Sequence, residues 1–171
     1  MEPQPDKQDR VSALSPVVVM GVSGAGKSTV GAALAQRLGV PFVDADTLHP
    51  PANVAKMAAG ETLSDDDRYP WLERVGDWLA GHPAGVVSCS ALKRKYRDQL
   101  RAHRARIEFL HLDGSAETIG RRLAARSGHF MPAALLRSQL ETLEPLGVDE
   151  RGVTVDVGHS VDAVIAAFLA G

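Results

Sequence analysis

One cysteine, Cys89, stands among 171 residues, so no disulfide can close within the chain, and a reducing compartment is predicted. It follows the apolar pair Val86-Val87, where a buried small residue is expected rather than a reactive thiol. A basic surplus is also missing. Lys and Arg number 19 against 21 Asp and Glu, and a net charge of -2 leaves nothing to neutralise a nucleic-acid backbone. No segment approaches the apolar length of a membrane span, and the first fifteen residues mix proline with both charge signs instead of carrying a secretion signal. These absences predict a cytoplasmic protein with a flexible N-terminal tail over 1–15, no nucleic-acid partner and no membrane contact. Repeats and low-complexity tracts are absent as well, and with 44% hydrophobic and 23% charged residues, 16–171 reads as one globular domain.

What is present is a rhythm of short, β-branched apolar runs separated by longer helical stretches. The runs at 17–20, 41–44, 85–88, 107–112 and 153–157 predict an α/β fold, a five-stranded parallel sheet with helices on both faces. After the first run, Val30, Leu34 and Leu38 form an apolar helical stripe that Gly39 and Pro41 terminate. A last amphipathic helix is predicted over 161–169. Trp71 and Trp78, seven residues apart, read as anchors of a helix to the core. Between 116 and 143 two helical stretches are broken by Ser127-Gly128-His129-Phe130-Met131-Pro132, which predicts a mobile lid over about 122–134.

Directly after the first run comes Gly21-Val22-Ser23-Gly24-Ala25-Gly26-Lys27-Ser28, a full G-x-x-x-x-G-K-[ST] loop in its strand-to-helix context. The glycines let successive N–H groups curl inward, and the following helix N-terminus adds positive potential for phosphate. Gly21, Ser23, Gly24, Ala25, Gly26, Lys27, Ser28 and Thr29 are therefore the expected nucleotide cradle. Lys27 would reach the β- and γ-phosphates of ATP, and Ser28 would ligate Mg2+. The guanine-reading N-K-x-D tetrapeptide of GTPase switches occurs nowhere in the chain.

The second run ends in Asp44-Ala45-Asp46, at the strand end where open α/β sheets put their ligands. If the strand continued, alternation would send both carboxylates the same way, one toward the magnesium shell and the other toward a substrate hydroxyl whose proton it accepts, in either order. Arg122 and Arg126 lie four residues apart on the predicted helix entering the lid, the first near adenine and the second near the transferring phosphate.

Longer strings narrow the reading. Asp44 to Gly60 spells D-x-D-x-L-H-P-x-x-N-x-x-K-M-x-x-G, and Asp65 to Leu72 spells D-x-D-R-x-P-W-L. Together with Ser88-Cys89-Ser90-Ala91-Leu92-Lys93-Arg94 and Gly128-His129-Phe130-Met131, these resemble the gluconokinase family of P-loop kinases, from the phosphate loop to about Pro145. Glu61-Thr62 departs from the pattern, which leads one to expect a proline before Leu63. The resemblance implies a nucleoside monophosphate kinase or shikimate kinase-like fold. It also implies ATP- and Mg2+-dependent phosphorylation of D-gluconate to 6-phospho-D-gluconate, feeding the pentose phosphate or Entner–Doudoroff route, and a possible homodimer. By similarity, Lys27, Asp46 and Arg126 are the catalytic candidates, with Asp46 as base and Asp44 on magnesium through water. A segment over about 46–80 would bind substrate. Arg68, or second Arg97, would take the substrate carboxylate, since a guanidinium fork matches that group, and His49, Ser90, Lys93 and His129 would contact the rest. A kinase for shikimate or another aldonate, and a nucleotide-binding regulator without turnover, are the alternatives.

Overall fold

The computed structural model describes residues 15–104, 106–125 and 133–171. Five parallel strands form one sheet in the order β2-β3-β1-β4-β5. They are β1 (Val17–Met20), β2 (Phe42–Asp44), β3 (Val86–Ser88), β4 (Glu108–Asp113) and β5 (Gly152–Asp156). Each lies within a residue or so of its predicted run.

The helices are α1 (Lys27–Leu38), α2 (Pro51–Ala58), α3 (Asp65–Gly81), α4 (Arg94–His103), α5 (Ala116–Ala125), α6 (Ala133–Thr142) and α7 (Val161–Ala170). Central strand β1 is buried on both faces, and its side chains alternate between two apolar cores. Val17 and Val19 join residues of α1, α5, α6 and α7, whereas Val18 and Met20 join residues of α3 and α4. Helices therefore cover both faces, as the alternation of runs predicted. Trp71 and Trp78 do anchor α3 in the second core.

Local chemistry sets the helix ends. The stripe Val30, Leu34 and Leu38 is buried, and α1 stops at Gly39, whose left-handed φ of 67° lets its N–H turn back to Ala35 and Gln36. A reciprocal capping box starts α3: Ser64 accepts from Asp67 N–H, and the Asp67 carboxylate accepts from Ser64 N–H. Ser160 caps α7 through Ala163 N–H. The predicted lid falls partly on the end of α5 and the start of α6, and its residues 126–132 lie outside the described residues. Among the described residues, no helix is long and apolar enough to cross a membrane.

Candidate active site

A cleft of about 600 Å³ opens at the C-terminal ends of β1, β2 and β3. The phosphate loop supplies one wall, with Ser23, Gly24, Gly26, Lys27 and Ser28 lining it. Gly21 and Ala25 are buried behind that wall, and Thr29 lies exposed in the first turn of α1. The loop is held from several sides. Lys27 Nζ donates to Val22 O at 3.0 Å, curling the loop over its own lysine. Gln139 of α6 accepts from Ser23 N–H at 2.8 Å and donates to Ser23 Oγ at 3.2 Å. Arg122 donates to Val157 O beyond β5 and sits beside the loop, its Nη1 3.9 Å from where Gly26 would carry a Cβ.

Opposite the loop, β2 ends at Asp44, and the chain turns at once into a 3-10 turn over Ala45–Leu48. The strand alternation expected for Asp44 and Asp46 therefore does not operate, and a capping contact takes its place. Asp44 Oδ1 accepts from Asp46 N–H at 2.9 Å, while its Oδ2 accepts from Ser28 Oγ at 2.8 Å. Both oxygens of Asp44 are thus engaged. The Asp46 side chain retains 85% of its exposure, and both residues line the cleft.

The Ser28–Asp44 pair is the arrangement an Mg2+ ion needs beside nucleotide phosphates. This ion keeps several waters and takes only one or two protein groups, so a hydroxyl with a carboxylate behind it suits it. No group of three or more His, Cys, Asp or Glu side chains able to hold a metal ion lies among the described residues.

The remaining wall gathers residues from three elements. His49, Arg68, Ser90 and Lys93 line the cleft together with Trp71 and Tyr96. Arg68 Nη1 donates to Leu63 O at 2.7 Å, and its guanidinium lies 5.9 Å from the Tyr96 ring centroid. Lys93 lies 5.6 Å from the same ring and pairs with Asp65 at 3.0 Å. Asp65 also accepts from Lys95 and from Tyr96 O–H. Those hydrogen bonds, from Lys95 first and then Tyr96 and Lys93, hold its carboxyl well below the usual range. Buried His49 stacks on Trp71 at 4.3 Å between ring centroids, and Trp71 Nε1 donates to Ala45 O, fixing the turn that carries Asp46. Cys89 lies buried beside the cleft, where desolvation pushes its thiol up to about 12, so it is protonated and unreactive at neutral pH.

Arg97 is a correction. Its side chain has no exposed surface and meets Glu150 with Nε at 2.8 Å and Nη2 at 3.0 Å. Nη1 donates to Ala91 O at 2.8 Å, and Nη2 to Glu144 O at 3.0 Å. A guanidinium so engaged cannot reach a substrate carboxylate. Its work is indirect: Ala91 holds a left-handed φ of 45°, and the bond to its carbonyl steadies the turn that presents Ser90 and Lys93. Arg126 and His129 lie outside the described residues. Tyr96, Asn53 and Gln139 escaped the sequence reading. Only Asn53 had a signal there, since it occupies the N of the L-H-P-x-x-N string.

A phosphate loop on a parallel sheet, facing a carboxylate pair and a cationic pocket across one cleft, defines a P-loop kinase of small molecules. Residues 23–151 match the shikimate kinase family. A gluconokinase from Gluconobacter oxydans is 54% identical over 87% of this chain and 86% of its own, and a thermosensitive gluconokinase from Escherichia coli is 46% identical over 84% and 80%. The crystal structure of a gluconokinase from Sinorhizobium meliloti superposes with a TM-score of 0.85 at 49% identity, covering 91% of this chain and 90% of that one. The chain belongs to the gluconokinase family, within the broader shikimate kinase group.

Proposed function

We propose that this protein transfers the γ-phosphoryl group of ATP to a hydroxyl of D-gluconate, giving 6-phospho-D-gluconate and ADP. The carrying observation is that one cleft joins the phosphate loop, the exposed Asp46 carboxylate and the Arg68–Lys93 cationic wall. In the reaction a new bond forms from the substrate hydroxyl oxygen to the γ-phosphorus, and the bond from that phosphorus to the β-phosphate oxygen breaks. Asp46 orients the hydroxyl and takes its proton, since its exposed carboxylate is the one of the pair whose oxygens are not both committed to protein groups. Lys27 and the loop N–H groups hold the phosphates and offset their charge. Ser28 would hold Mg2+ directly and Asp44 through water, and the bound ion would neutralise charge on the β- and γ-phosphates. Arg68 forks the gluconate carboxylate, while His49, Ser90 and Lys93 contact its hydroxyls.

Arg122 serves the nucleotide from beside the loop, and residues 16–171 act as one kinase domain with a substrate segment over about 46–80. A cytoplasmic location and a homodimer belong to the same reading. A coupled assay following ADP release with gluconate, shikimate and other aldonates, with and without Mg2+, tests it. Gluconate should give the highest kcat/KM, and no ADP release with gluconate would sink the reading.

A further inference from the structure

Asn53 is buried, and its side-chain amide ties two helices to the cleft. Nδ2 lies 2.9 Å from the backbone carbonyl of Asp67 and 3.2 Å from His49 Nδ1. A backbone carbonyl can only accept, so the atom facing it must be the NH2 group. One of its hydrogens goes to Asp67 O, and the second points at His49 Nδ1. That ring nitrogen must then accept, and a neutral imidazole accepting at Nδ1 carries its proton on Nε2. The ring is buried and stacked on Trp71, and desolvation lowers its pKa, which favours the neutral form.

Nε2 faces Asp46 Oδ1 at 3.9 Å. That is too long for a direct hydrogen bond and suits one oxygen atom at the apex between the two groups. Such an oxygen would accept from Nε2–H and donate to the carboxylate, which only a group holding both a lone pair and a proton can do. We propose that Asn53 is a positioning residue that fixes His49 as its Nε2–H tautomer, so that a substrate hydroxyl accepts from His49 while donating to Asp46. An ether or carbonyl oxygen at that point has no proton to give and leaves Asp46 unanswered. The inference deepens the proposed kinase reading by naming how the attacking alcohol is aligned, and it rests on that reading only for the identity of the alcohol.

The test is a long-range 1H–15N spectrum of the 15N-labelled full chain, with the His49 signals assigned by their loss in H49Q. The expected pattern is a protonated Nε2 and an unprotonated Nδ1, turning to a tautomer mixture in N53A. N53A should also lower kcat with gluconate roughly tenfold while leaving KM for ATP unchanged. H49Q, which can place an amide N–H near the Nε2 position, should keep more turnover than H49N. A proton on Nδ1 or a charged ring in the unaltered protein overturns the proposal, as does an unchanged ring spectrum in N53A or an H49N as active as H49Q. A purely structural tie between α2 and α3 would lower stability without moving the tautomer. If N53A does not fold, the unaltered protein's spectrum and the H49Q/H49N pair still decide. If gluconate is not turned over at all, the proposed function fails while the ring spectrum still reports the tautomer.

Discussion

Arg97 and Glu150 bury both side chains completely, so replacing Arg97 by Met removes a cation and leaves a carboxylate deep in protein. Burial alone would raise Glu150, yet hydrogen bonds from Arg97 and Arg101 hold it at about 2, which makes it an anion in need of partners. Arg101 still donates to it at 2.8 Å, so the expected loss falls near the lower end of the range for broken buried pairs, about 3 kcal/mol. Urea unfolding of R97M measures it. Asp46→Asn makes the contrasting case. Its carboxylate is exposed and joined to little else, so folding should hold while kcat drops roughly a hundredfold or more and ATP affinity changes little. Steady-state kinetics beside nucleotide titration separate the two effects, and unchanged turnover would move the base role to Asp44. Spacing along the chain could not tell Arg97 from Arg68. Each follows a run of plausible pocket residues, and the partner that claims Arg97 lies 53 positions away.

The phosphate loop was fully legible as an element because all its chemistry sits on eight consecutive residues whose types are dictated by one task. Its support from Gln139 of α6 was not, since that residue lies 116 positions from Ser23. Gly24 holds a φ of 83°, and a Cβ there would lie 2.6 Å from Leu123 Cγ and 2.9 Å from Leu123 Cδ2. Gly24→Ala must therefore strain the loop and push on α5 together. The expected outcome is a rise in KM for ATP of about tenfold or more and a loss of roughly 1–3 kcal/mol of stability, read by kinetics and urea unfolding. KM for gluconate should change less. The 3-10 turn over Ala45–Leu48 was illegible for a related reason. Asp44 reads as a strand residue by its apolar neighbours, yet its carboxylate captures Asp46 N–H and ends the strand. The carboxylates reached the cleft by a route that alternation does not describe.

Over the whole molecule, β1 divides the apolar interior into two cores, and a buried titratable group beside one of them ties the stability of the fold to pH. His111 of β4 is buried, and among the described residues neither ring nitrogen has a hydrogen-bond partner. Desolvation lowers its pKa below the ordinary 6.5, with nearby Arg97 adding to the effect and Asp113 opposing it. The unfolded chain therefore binds a proton at a pH where the folded protein does not. Stability from this group is present above 6.5, falls as the pH drops below 6.5, and levels off once the folded ring also protonates. His49 is lowered as well, chiefly by desolvation, and adds a loss of the same sign. Glu150, Asp67 and Asp149, each held at about 2, act in a separate window below about 4.5, where their stabilisation is lost as they protonate. Urea unfolding across pH 4.5 to 8 should thus show a decline beginning near 6.5. His111→Leu should flatten that decline without abolishing it, because the His49 share remains. A variant with the same slope as the unaltered protein would assign the decline to His49 alone.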